Sequence, residues 1–203
     1  MSSLKENISI EIPEWKKELI LNLKKQIDNG KKFTFIHTPK CGGLYAGKIL
    51  KDLNINNKHH NQATKNDGIT FTIIREPAER FESLLNYRLG FKEPREDFPN
   101  NIRYMHYNKS ISLNNIVNNM TDRDILNFKP YRSLTYWSKN VKLFITIKEL
   151  IPTLELLGYE IKKDYPPINV SKKIRGKLDE KIKERIRKLY HNDCLLFKNK
   201  TRE

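Results

Sequence analysis

Three groups of side chains in this sequence are of a type and spacing that could do chemistry. The first is Lys40 in the run Thr38-Pro39-Lys40-Cys41-Gly42-Gly43. A lysine beside paired glycines sets a full positive charge next to backbone N–H groups that an anion can approach closely. The second is Arg75-Glu76-Pro77-Ala78-Glu79-Arg80-Phe81-Glu82-Ser83. The planar fork of Arg75 suits a phosphate held by two hydrogen bonds, and Arg80 and Ser83, at i and i+3, face one way on a helix. The third is Lys58-His59-His60-Asn61-Gln62-Ala63, which lies between the other two. An imidazole there can take a proton near neutral pH.

These groups need elements to position them. Phe33-Thr34-Phe35-Ile36 is aromatic and β-branched, so residues 32–37 read as a buried strand. The Lys40 loop follows it, and helical character resumes over 44–53. Residues 54–68 are polar and read as irregular. A second strand is expected over 69–74, then a helix over 77–89 with Pro77 at its start. Upstream, Trp15, Leu19, Leu23 and Ile27 predict an apolar stripe on a helix over 13–28, ended by Asn29-Gly30. Residues 90–110 lack a period and suggest a lid or surface loop. Short helices are expected near 112–119 and 121–127, a third strand over 141–146, a helix over 149–157, and a last helix over 178–190 with Leu178, Ile182, Ile186 and Leu189 on one face. Strand–helix repetition of this kind implies a parallel sheet with crossover helices. At 203 residues the chain reads as one domain, with 89–135 as a candidate lid or acceptor-binding segment.

The sequence Phe35-Ile36-His37-Thr38-Pro39-Lys40-Cys41-Gly42-Gly43 resembles the 5′-phosphosulfate loop of the PAPS-dependent sulfotransferases, in particular the carbohydrate and heparan type. The segment 71–83 resembles that family's 3′-phosphate motif, a strand followed by R-[D/N/E]-P-x-x-R-x-x-S. Ile168-Asn169-Val170-Ser171-Lys172-Lys173 resembles a late N-x-S segment near the 3′-phosphate and adenine. The resemblance implies a three-layer α/β/α fold around a central parallel sheet, of the P-loop NTPase-like sulfotransferase kind. It implies that PAPS (3′-phosphoadenosine-5′-phosphosulfate) is the donor and 3′,5′-ADP the product. It places Pro39, Lys40, Cys41, Gly42, Gly43, Leu44, Tyr45, Arg75, Arg80, Ser83, Asn169, Ser171, Lys172 and Lys173 around the donor, with Arg175 adding charge. Lys40 is the catalytic cation and His60 the general base, with His59 in reserve. Leu44 stands where the family has Thr or Ser, so the resemblance implies that one hydroxyl contact to the 5′-phosphate is either lost or supplied by Tyr45 or by backbone. The acceptor is a hydroxyl or amine, with a glycan as first choice. Phe128-Lys129-Pro130-Tyr131-Arg132, together with Arg88, Arg95 and Arg103, forms a candidate acceptor surface.

Composition leaves other readings open. Lys+Arg number 39 against Asp+Glu 24, a formal charge of +15 that attracts anions of many kinds. A nucleic-acid-binding module is one alternative, although no helix-turn-helix or aromatic RNA-binding motif is present and no specific nucleic acid is expected. A P-loop kinase or NTPase is another. Gly42-x4-Gly47-Lys48 fits the start of a Walker loop, but Ile49 stands where Ser or Thr should hold Mg²⁺. A sulfotransferase fold acting only as a binding module is a third. Two cysteines, Cys41 and Cys194, are too few for a disulfide framework or a zinc site. A His pair without a carboxylate is a poor metal site, so no metal is expected. His37 reads as structural, and His106 and His191 as surface or packing residues. The longest apolar runs are only a few residues, and Met1–Trp15 lacks an apolar signal core, so the expectation is a soluble, cytoplasmic protein without a membrane span.

Overall fold

The computed structural model describes residues 11–94, 98–128, 131–162, 164–165 and 175–201. In chain order the elements are α1 (Glu14–Asp28), β1 (Phe33–His37), α2 (Gly43–Asp52), β2 (Asn56–His59), a 3-10 turn (Lys65–Asp67), β3 (Ile69–Ile73), α3 (Pro77–Leu89), α4 (Asn100–Tyr107), α5 (Leu113–Asn118), α6 (Asp122–Leu126), α7 (Leu134–Trp137), β4 (Leu143–Ile145), α8 (Leu150–Leu156), α9 (Glu180–Leu189) and α10 (His191–Thr201).

The strands form one parallel sheet in the order β2-β1-β3-β4. Every residue of β1, β3 and β4 is buried, so both faces of the sheet are covered, as an α/β/α layout requires. Residues alternate across the sheet with period 2. Phe33, Phe35, Phe71 and Ile73 join the main core, where the Phe33 and Phe71 rings stack at 4.5 Å. The threonines satisfy their hydroxyls within the structure: Thr72 donates to the Ile36 carbonyl at 2.7 Å and shares a 2.8 Å hydrogen bond with Thr38. A second core joins α3, α4, α5, α6 and α9, with Phe81, Ile102, Ile116, Ile125 and Ile186 at its centre.

Several expectations need correction. Residues 54–68 are not wholly irregular: Asn56–His59 is an edge strand paired in parallel with β1. Its residues are mostly exposed and polar, so no apolar pattern marks it. Part of the aperiodic 90–110 stretch is the helix α4, and α10 follows the helix read as the last. The expected stripe of α1 is borne out in Leu19, Leu23 and Ile27, which pack against the main core, and the buried face also takes in Ile20 and Lys16. Lys16, fully buried, meets Glu149 at 2.6 Å. Arg175 adds no charge to a ligand site; it is buried and donates to the carbonyls of Met105, His106, Asn108 and Ile111. Among the described residues, no helix is long and apolar enough to cross a membrane.

The Lys16–Glu149 pair ties α1 to the start of α8, and each charge is buried only because the other is there. Lys16→Met alone is expected to lower unfolding free energy by about 3–5 kcal/mol. The double variant Lys16→Met/Glu149→Leu should regain most of that loss. Urea denaturation of the three proteins measures both effects.

Candidate functional site

The strand order creates a crevice. From β1 the chain passes through α2 to β2 on one side, while β3 leads to β4 on the other. The carboxyl ends of β1 and β3 therefore form a switch point, where open α/β sheets bind ligands. The Lys40 loop leaves β1 there, and Arg75 leaves β3 beside it.

Lys40 and Gly42 both take positive φ, 65° and 88°, and the tight turn that results starts α2 at Gly43. The N-cap Gly42 has no side chain to cap α2, so among the described residues that position leaves the first-turn N–H groups uncapped, the condition in which a helix N-terminus can bind an anion. By contrast, Glu76 caps α3 by accepting from the Glu79 N–H at 2.8 Å. The Lys40 ammonium lies 4.1 Å from the centre of the Tyr87 ring. Its pKa is pushed below the usual lysine value, first by burial and then by the positive charges of Arg75 and Arg88, with Cys41 opposing. Three cations from two segments thus face one another. The Nε of Arg75 pairs with Glu79 at 3.2 Å, and its terminal fork meets no acidic group among the described residues. Such an arrangement has the charge and the donors to bind a multiply charged anion.

The expected donor residues divide by what they touch. The side chain of Cys41 is buried, and its thiol, raised in pKa mainly by burial, contacts the backbone of Arg75. The thiol donates to the Pro39 carbonyl at 3.7 Å, within its own loop. Arg80 has no exposed surface; its Nε donates to the Pro39 carbonyl at 3.0 Å and its guanidinium lies 4.4 Å from the Tyr131 ring centre. This bond ties α3 to the loop, while Nη1 and Nη2 of Arg80 are buried with no hydrogen-bond partner among the described residues. Leu44 is 60% exposed in the first turn of α2, while Tyr45 packs against the main core, away from the hydroxyl role left open by Leu44. Ser83 is half-buried, one turn beyond Arg80 on α3. Gly47 and Lys48 lie inside α2, with Lys48 exposed, so neither occupies the loop position a Walker lysine requires. Asn169, Ser171, Lys172 and Lys173, together with Arg95, Lys129 and Pro130, lie outside the described residues.

The histidines differ most from expectation. His37, the last residue of β1, pairs in register with His59, the last residue of β2. His60 follows with φ of 54°, a left-handed turn that brings its ring to the side of its neighbour. The rings of His37, His59 and His60 lie 3.9–4.8 Å apart between centroids. Beyond them, Gln62 donates to the Tyr136 carbonyl at 2.7 Å and Asn140 to the Ala63 carbonyl at 3.1 Å, which anchors the segment against α7 and its exit. Gly43 presses on the opposite side, where a Cβ would stand 1.9 Å from His37 Nε2. Alternation from Phe33 and Phe35 is the one sequence signal for the face of His37; its union with His59 and His60 depends on an edge-strand pairing no local pattern reveals.

Burial, and then the neighbouring His59 and His60, lower the His37 pKa from 6.5 to about 3. Below pH 6.5 the unfolded chain takes up a proton that the native protein resists. Stability is therefore expected to fall as pH drops from about 6.5 towards about 3, by up to about 1.4 kcal/mol per pH unit from this residue. His37→Gln should flatten that slope, as read by urea midpoints across the range. Gly43→Ala should destabilise the fold by roughly 1–3 kcal/mol, because its methyl must displace a buried imidazole. Comparisons of the chain with protein-family models, with curated proteins and with solved structures give no match.

Proposed function

We propose that the protein is a PAPS-dependent sulfotransferase with the P-loop NTPase-like fold of that family. The observation that carries the reading is the convergence of Lys40 and Arg75, from two separate motifs, on the crevice between β1 and β3. In this reading the loop at Lys40 and the first turn of α2 hold the 5′-phosphosulfate. Arg75, with Ser83 further along α3, holds the 3′-phosphate. The acceptor, a hydroxyl or amine and by first choice a glycan, approaches from the β2 side, where His60 takes its proton. The acceptor atom forms a bond to sulfur as the bond from sulfur to the bridging phosphate oxygen breaks. Charge gathers on the departing 3′,5′-ADP, and Lys40 offsets it. The protein supplies position and charge for an in-line transfer.

Donor binding and transfer are tested separately. At a hundred times its dissociation constant, 3′,5′-ADP should stabilise the fold by about 2.7 kcal/mol in a thermal shift, and Arg75→Ala should remove the effect. With labelled PAPS and a mixed acceptor library, Lys40→Ala should lower transfer by about 100-fold or more. His60→Ala should lower it by about 100- to 10,000-fold without loss of 3′,5′-ADP binding. Stabilisation by ATP–Mg²⁺ with none by 3′,5′-ADP would assign a kinase or NTPase instead. Donor-product binding with no transfer to any acceptor would assign a binding module.

A further inference from the structure

His37, His59 and His60 each offer a ring nitrogen, and these atoms all lie within 4.8 Å of one another. No carboxylate or thiolate joins the group among the described residues. We propose that these three histidines form a binding site for a divalent transition-metal ion of the zinc class, at the carboxyl ends of β1 and β2 beside the Lys40 loop. The proposal does not rest on the transfer reaction.

The donor set selects the ion. Neutral imidazoles suit zinc, copper and nickel, whereas Mg²⁺ and Ca²⁺ need oxygen ligands. Three protein ligands leave a fourth position for water, and His59 and His60 are exposed, so solvent reaches it. With metal–nitrogen bonds of about 2.0–2.1 Å, the nitrogens of a tetrahedral site sit about 3.4 Å apart. Closing from 4.8 Å is a movement that side-chain rotation of exposed residues supplies.

The site is built as one fixed ligand and two adjustable ones. His37 is 94% buried, since its relative exposure is 6%, and it is held between Gly43 and the sheet. Its Nδ1 is buried with no hydrogen-bond partner among the described residues. A buried polar nitrogen in that condition calls for a partner the protein does not provide. The left-handed backbone at His60 supplies the second observation. Successive residues of an extended strand point to opposite faces, and only this turn lets both His59 and His60 approach His37. An ion held there occupies the lone pair that proton transfer through His60 requires, so metal loading and general-base action by His60 exclude each other.

The test uses the untagged full chain, stripped with a chelator. Titration with Zn²⁺ by calorimetry is expected to show one ion per chain. Co²⁺ is expected to give the visible ligand-field absorption of a low-coordinate nitrogen site, which Zn²⁺ then bleaches. His59→Ala and His60→Ala, at exposed positions, should each weaken binding beyond the about 10- to 100-fold expected for a mere supporting residue. His191→Ala should leave binding unchanged, and circular dichroism confirms that each variant is folded. The proposal is overturned by the absence of saturable binding, by affinity that survives both His59→Ala and His60→Ala, or by equal competition from Mg²⁺.

Discussion

Arg80 donates to the Pro39 carbonyl at 3.0 Å while its guanidinium lies over the Tyr131 ring, and it does this with no exposed surface. This contact joins the two segments that carry Lys40 and Arg75, because Arg80 belongs to α3 and Pro39 to the loop after β1. Tyr131 in turn donates to the Pro77 carbonyl at 3.0 Å, closing the circle at the first residue of α3. The Cys41 thiol also contacts the backbone of Arg75. A hydrogen bond from a charged group contributes about 1.5–3 kcal/mol, and an unmade one in the interior costs more. The Lys40 loop therefore cannot shift independently of Arg75. Asp193 lies close enough to feel the charge of Arg80, and it also accepts from the Leu134 and Thr135 N–H groups at 2.7 and 3.2 Å. Through it the same buried charge reaches α7 and α10.

With the loop tied to α3, the cations can be left facing one another. Burial first, and then the positive charges of Arg75 and Arg88, lower the pKa of Lys40. In a free chain they would move apart or find carboxylates. Here burial, the Tyr87 ring and the fixed loop keep Lys40 in place, and only Glu79 answers Arg75. If the proposed reading holds, a site preorganised in this way needs little reorganisation to receive an anion.

How much of this could be read in the sequence depended on whether the signal was local. The strand at Phe33–His37, the loop after it, and α3 starting at Pro77 each follow from a few neighbouring residues, and each is found where expected. Thr121 caps α6, as its position before an acidic turn implies. The edge strand β2 was invisible because Asn56, Asn57, Lys58 and His59 carry no alternation. It exists because β1 offers it a hydrogen-bonding edge. The burial of Lys16 on α1 was equally hidden, since its partner Glu149 lies 133 residues away. The same holds for the site. Lys40 and Arg75 announce themselves by their flanking glycines and proline, whereas the meeting of His37 with His59 is a product of register.

The sheet order arranges the chemistry in a line. Along the carboxyl edge the sequence of groups is imidazoles at β2, the Lys40 loop at β1, and Arg75 at β3. Adjacent strands are about 4.8 Å apart, so the imidazoles and the guanidinium fall on opposite sides of the loop. That separation comes from β1 lying at the switch point, where its neighbours on either hand are reached by different routes of the chain.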